Sequence, residues 1–302
     1  MHIPDGFLST SVWATMSAAT VPSVAYMVRR AQREVEEARV PLLGVMGAFV
    51  FAAQMINFPV GIGTTGHLIG SAVLAYTLGP AAASVVMTAI LAIQALVFQD
   101  GGLLALGANV FNMAVAGVLA AYLPYHYWGA GRWRKAAIFS GAALSVLTGA
   151  LLALAQLRFS GVAMPGAVVW VSLGLFTVNA LLEGGITLAV MQSLEALNPG
   201  WLRKPAASGR TAMGVLLTAA VLLVGAGVLF AASDPDGIEK LAENLGIASH
   251  ARTLLETPLG GYEIQYLSSG WLRKATAGLA GLALIYGACV VFGKLIARRR
   301  SA

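Results

Sequence analysis

The chain has 302 residues, of which 58% are apolar and only 11% charged, with a mean hydropathy of +0.78, far outside the range of soluble globular proteins. Its net charge of +6 does not indicate a nucleic-acid partner, because the basic residues cluster at the ends of apolar runs, where membrane-orientation signals belong. The single cysteine, Cys289, excludes an intrachain disulfide and a cysteine-based metal cluster, and it reads as a small core hydrophobe.

The first nine residues, Met1-His2-Ile3-Pro4-Asp5-Gly6-Phe7-Leu8-Ser9, carry a chemistry no interior segment has. The free amine of Met1, the backbone nitrogen of His2 and the His2 Nδ1 can converge on one metal ion. Amine and amide close a five-membered ring, and amide and imidazole close a six-membered one. A deprotonated amide favours a planar set of strong nitrogen donors, which suits Ni²⁺ or Cu²⁺. Three donors leave one corner of the square open, and His67 is the candidate to fill it. No basic region precedes the first apolar run, so no cleavable signal is expected and Met1 is read as the mature terminus.

Taken in order, the first span is expected over about 10–28, long enough for ~30 Å of hydrocarbon, with Pro22 inside it. A mixed-charge connector over 29–39 leads to a second span over about 41–57. Gly44, Ala48 and Ala52 recur there at spacing four, a smooth face that allows another helix to approach closely. The stretch Phe58-Pro59-Val60-Gly61-Ile62-Gly63-Thr64-Thr65-Gly66-His67 reads as irregular backbone, tolerated at depth only when it is buried or lines a cavity. The apolar run 68–98 breaks at Gly79-Pro80 into two segments. The first is too short to span, so its helix is expected to begin within Thr64–His67. Later spans are expected near 110–123, 136–157, 167–194, 211–232 and 275–296.

Orientation follows from the basic residues. With the N-terminus outside and nine spans, every Lys and Arg except Arg158, Lys240, Arg252, Arg273 and Lys274 falls in an inner connector. Four of those five lie in one long loop, which the rule weights little. The segment 198–210, rich in Pro, Gly and Ser, reads as a linker. The expected fold is an all-α polytopic bundle of about seven spans, residues 1–205, joined to a two-span module, residues 206–302. The location is the plasma (inner) membrane, multi-pass, with an extracytoplasmic N-terminus and a cytoplasmic C-terminus.

Met-His-Ile-Pro-Asp-Gly-Phe-Leu, followed by a histidine in a Gly/Thr loop after the second span, resembles the metal-binding membrane component of energy-coupling-factor transporters for nickel and cobalt. Residues 211–302, with Ser-Asp-Pro-Asp-Gly-Ile-Glu-Lys, are similar to the small two-span accessory component, here fused to it; Ile238 stands where that motif usually carries Leu. The resemblance implies metal ligands at Met1, His2 and His67, and Pro4-Asp5 is similar to the nickel members. It implies Ni²⁺, or alternatively Co²⁺, as the transported substrate. It also implies partners: a transmembrane coupling subunit, meeting the Gly44–Ala48–Ala52 face, and cytoplasmic ATPase subunits. The chain itself is not expected to be an enzyme, and it has no Gly-x-x-x-x-Gly-Lys-Ser/Thr phosphate loop.

Further candidates to support the ligands or line the ion's path are Asp5, Thr64, Thr65, Asn109, Asn112 and Glu183. Glu183 sits inside an expected span, where a carboxylate is a functional hypothesis; a bond to a neighbouring helix through Asn179 is the competing reading. A proton-coupled secondary transporter would use Glu183 as relay. His126 reads as part of an inner aromatic belt, and His250 as a loop residue. Asp234, Asp236, Glu239 and Glu243 read as a solvated, helix-capping face in preference to a cation funnel.

Overall fold

The computed structural model describes residues 1–197, 218, 221, 235–264 and 266–297. The expected linker over 198–210, the 205/206 boundary and, apart from Thr218 and Val221, the expected span over 211–232 lie outside the described residues. In hydrocarbon every backbone N–H and C=O must find an internal partner, which makes helices the default. Among the described residues, five helices are long and apolar enough to cross a membrane: Pro80–Phe98 (α4), Leu106–Trp128 (α5), Arg134–Phe159 (α6), Gly166–Leu197 (α7) and Gly270–Ile296 (α9). To these are added α1 (Thr10–Glu34), the shorter α2 (Val40–Gln54) and α3 (Ser71–Leu78), and the helix α8 (Gly237–Leu245). Both α2 and α4 open with proline in the first turn, where its missing N–H would have had no helical partner anyway. The molecule is a mostly helical membrane protein.

Two expectations are corrected. Residues 57–67 are not irregular, and no helix begins at Thr64–His67. Asn57–Gly61 (β1) and Thr64–His67 (β2) form an antiparallel hairpin, pairing Asn57 with His67 and Phe58 with Gly66, with an irregularity between Pro59 and Gly61. Gly63 turns the hairpin at φ +61°, a left-handed conformation that costs glycine little. The hairpin pairs part of its backbone across its two strands, and the turn at Pro235 takes up the Thr65 N–H on its outer edge. The helix starts only at Ser71, after Gly70 at φ +76°. With 8 residues, α3 rises only about 12 Å.

The second correction concerns the small-residue face. A Cβ on Gly44 would stand 2.8 Å from Val290 and 2.9 Å from the Tyr286 ring, and one on Gly47 would meet Cys289 Sγ at 2.7 Å. Ala48 and Ala52 are completely buried. The face expected to receive a separate coupling subunit is therefore covered within this chain, Gly44 by α9. The physical reason is that a smooth stripe permits close approach of any helix, and the chain's own last helix is tethered nearby. Cys289 lies in that contact, buried, as a small core residue.

Candidate metal centre

The N-terminal segment is folded into the protein. Met1, His2 and Asp5 are at most 7% exposed and Ile3 is fully buried. Three sets of bonds fix its register. The Asp5 carboxylate accepts from the backbone N–H groups of Leu103 and Leu104, each at 2.8 Å, and of Ala105 at 3.1 Å. These precede α5, so Asp5 serves that helix start as a capping carboxylate would, with the helix dipole in its favour. Asn109 pairs with the Ile3 backbone in both directions, accepting from Ile3 N at 2.9 Å and donating to Ile3 O at 3.0 Å. Arg252 N donates to Asp5 O at 2.9 Å, bringing the segment before α9 onto the same strand-like edge. Glycine is required where the segment passes the loop between α4 and α5: a Cβ on Gly101 would crowd His2 Cβ at 3.2 Å, and one on Gly102 would run into Asp5.

This docking brings the Met1 amine and the two imidazole rings together. The Met1 amine donates to His67 Nε2 at 2.8 Å. The rings of His2 and His67 are nearly parallel, 4° apart, with centroids 5.6 Å apart. Two nitrogens on adjacent corners of a square, each about 2.0 Å from a central metal, stand about 2.8 Å apart. The amine–imidazole separation matches that value. His67 Nδ1 donates to Leu68 O at 3.0 Å, which fixes the tautomer and leaves Nε2 as the basic nitrogen, the usual way a metal-binding imidazole is prepared.

His67 is held from both sides of its strand. Just beyond it, the N–H groups of Ile69 and Gly70 donate to the two oxygens of Glu183, at 2.7 and 2.9 Å. Glu183 is completely buried in the middle of α7. On the other side, Thr65 N donates to Pro235 O at 2.9 Å, and Thr65 forms a parallel bridge with Asp236. The turn Pro235-Asp236-Gly237 thus extends the hairpin. Asp236 caps α8, one oxygen accepting from Ile238 N and Glu239 N while Glu239 reaches back to Asp236 N, a reciprocal capping box. Its other oxygen accepts from the Met1 amine at 2.7 Å.

A second carboxylate faces the other donor. Asp100 Oδ1 accepts from His2 Nδ1 at 2.9 Å. Burial alone would raise the pKa of both aspartates. The Met1 ammonium and then His67 outweigh it at Asp236, which falls to about 2, and His2 outweighs it at Asp100, also held below its usual range. Burial, followed by the charges of the amine and of His2, pushes His67 down to about 3, so its imidazole is neutral at neutral pH and its Nε2 lone pair is available. The pocket therefore combines neutral nitrogen with two carboxylate charges, favourable to a cation. A cavity of about 270 Å³ adjoins it, lined among others by His2, Asp5, Asp100, Asp236, Glu239 and Arg252.

The structure thus brings Met1, His2 and His67 together and sets Asp5 and Asn109 behind His2 as anchors. Thr65 and Glu183 anchor the His67 side. The Thr64 hydroxyl donates to Ile62 O at 3.5 Å, and Asn112 is paired both ways with Gln156, at 2.9 and 2.7 Å. Asn179 makes no bond to Glu183; its side chain stands where a Cβ on Gly66 would be. His126 lies between Tyr122 and Tyr127, with centroids 5.7 and 5.1 Å away, and His250 is exposed. Sequence reasoning missed Asp100 as a partner of His2 and gave Asp236 only its capping role. Among the described residues no group of three or more His, Cys, Asp and Glu side chains is placed to hold a metal ion; the candidate set is two imidazoles with a terminal amine and an amide.

The chain is a mostly helical membrane protein whose buried amine and paired imidazoles are donor types that suit a transition metal. The chain belongs to the family described as the cobalt uptake substrate-specific transmembrane region (CbiM), which matches residues 2–201, and it carries a PDGLE domain over residues 210–298. It is similar to the putative fused nickel transport protein NikMN of Archaeoglobus fulgidus, 31% identical over 296 residues, covering 94% of this chain and 95% of that one. A putative metal transport protein of Haloquadratum walsbyi is 38% identical over 200 residues, covering 66% and 92%. A crystal structure of a truncated transition metal transporter superposes with a TM-score of 0.58 at 33% identity, covering 65% of this chain and 99% of the other. Nickel and cobalt transport is the business of this family's named members.

Proposed function

We propose that this chain captures Ni²⁺, with Co²⁺ as the alternative, from outside the cell and delivers it as the substrate-specific subunit of an ATP-driven energy-coupling-factor importer. The observation that carries the reading is the buried Met1 amine 2.8 Å from His67 Nε2, the separation of neighbouring donors in a square-planar site. The four donors are the Met1 amine, the His2 amide, His2 Nδ1 and His67 Nε2. The ion replaces protons: the Met1 ammonium gives up one of its three, the amide loses its own, and the proton that His2 Nδ1 now donates to Asp100 leaves that nitrogen, the neutral ring carrying its proton on Nε2. Imidazole and amine nitrogen suit Ni²⁺ but would bind Cu²⁺ at least as tightly, so selectivity rests on cavity shape and on what is delivered.

Residues 1–205 form the metal-binding unit in this reading and 206–302 the fused accessory unit, with the N-terminus extracytoplasmic and the C-terminus cytoplasmic. The distribution of basic residues supports that orientation. ATP hydrolysis and the coupling subunit are supplied by other chains. A proton-coupled mode through Glu183 has less support, because both of its oxygens already accept backbone N–H groups, the bonding of an anchor. The test is calorimetric titration of purified His67→Ala with Ni²⁺. Most of the affinity is expected to be lost while the protein still inserts and purifies; unchanged affinity would remove the hairpin from the site.

A further inference from the structure

Two residues among those described have a positive φ without being glycine: Gln99 at 57° and Tyr262 at 59°. Bulky side chains rarely adopt this conformation, and it persists where the surroundings over-determine it, often at functional sites. Both residues flank one carboxylate. Gln99 immediately precedes Asp100, and the Tyr262 hydroxyl donates to Asp100 Oδ2 at 2.6 Å. The opposite oxygen of Asp100 holds His2 Nδ1. Tyr262 lies in the stretch matched by the PDGLE domain, so a side chain from that part of the protein reaches the metal pocket through a single carboxylate.

The contact is built from several directions. The Tyr262 ring stacks on Phe98, 4.8 Å between centroids and 12° from parallel, and lies 6.2 Å from Phe51. Its oxygen accepts from Gln94 Nε2 at 3.2 Å, and Gln94 also donates to Gln54 Oε1 at 2.9 Å. Gln54 in turn donates to Ile69 O at 2.8 Å, two residues beyond His67. Gln94 and Gln54 are both buried. The π-helical turn Gln94–Phe98 ends α4 so that Asp100 N donates to Gln94 O at 3.0 Å, and π-turns are frequent at functional sites. Gly260 makes room: a Cβ there would strike the Gln99 amide. A continuous run of bonds thus joins His2, Asp100, Tyr262, Gln94, Gln54 and the backbone just beyond His67.

We propose that Tyr262 is a positioning residue for the metal site: its hydroxyl fixes the Asp100 carboxylate, which orients the His2 ring and stays beside the ion as counter-charge when Nδ1 serves the metal. The inference rests on the four-nitrogen reading above. Partners that orient metal ligands from behind typically change affinity 10–100-fold when removed. Tyr262→Phe keeps the stacked ring and deletes only the hydroxyl. On the full-length protein loaded with Ni²⁺, the visible absorption of planar four-coordinate nickel is expected to persist, while release of the ion to EDTA accelerates about tenfold. Asp100→Asn should also accelerate release, and adding Tyr262→Phe to it should change nothing further, since the two act in series. Unchanged release from Tyr262→Phe, or an equal further acceleration on top of Asp100→Asn, would overturn the proposal. Absence of planar absorption in the unmodified protein would instead overturn the site itself, and this inference with it.

Discussion

Inserting one alanine between Met1 and His2 is expected to leave Ni²⁺ binding measurable and to reduce uptake to background. The insertion keeps every side chain but places the amine two residues before the histidine. An amine–amide–amide–imidazole set then supplies four planar donors from the terminus alone, so the protein still takes up the ion in a titration. The pocket, however, has a fixed register. Asp5 is tied to three backbone N–H groups before α5, and Asn109 grips Ile3 from both sides. With those anchors in place, an extra residue pushes the amine about 3.5 Å past His67 Nε2 and Asp236, and Ile3, fully buried, leaves no slack to absorb it. The His67 corner is lost and the loaded terminus no longer seats in the bundle. Uptake of radioactive nickel by cells making the extended protein, shown by mass spectrometry to be uncleaved, measures this. Full uptake would contradict it.

The second large effect is expected at Glu183. Replacing it by alanine leaves the N–H groups of Ile69 and Gly70 buried without acceptors. Each costs on the order of 1–3 kcal/mol, so the loss is several kcal/mol at one site and falls on the segment immediately after His67. Thermal unfolding in detergent should shift well down, and Ni²⁺ affinity should fall with it as His67 loses its position. Glu183→Gln keeps one acceptor oxygen and should lose less of both. A variant that binds Ni²⁺ with normal affinity and stability but fails in uptake would instead make Glu183 part of the ion's route.

The proposed N-terminal chelate can be read from the sequence because it is local: ring sizes follow from covalent connectivity, so Met1 and His2 stand out without any fold. His67 was legible as a histidine in a Gly/Thr stretch, but the shape of that stretch was not. Pro59 argues against a strand, yet it sits at the irregular edge of the hairpin, where it is tolerated. Asp236 illustrates a residue with two roles of which periodicity shows one; the Pro-Asp-Gly turn and Glu239 announce a helix cap, and nothing announces the amine 235 positions away. Asp100 and Tyr262 were invisible for the same reason, being 162 positions apart. The stripe Gly44–Ala48–Ala52 was read correctly as a close-approach face and assigned to the wrong helix, because smoothness specifies distance and not partner. Five of the nine expected spans appear as helices long and apolar enough to cross a membrane among the described residues, since a helix is what an apolar run must form in lipid.

The central claim is that nickel is held by four nitrogens in one plane, three of them from the first two residues. X-ray absorption spectroscopy at the nickel edge, on the full-length protein loaded with one equivalent of Ni²⁺, tests this most directly. The account predicts the pre-edge feature of square-planar nickel and a single shell of four nitrogen scatterers at short distance, with imidazole multiple scattering from two rings. A six-coordinate spectrum with oxygen from Asp100 or Asp236 in the inner shell would contradict it.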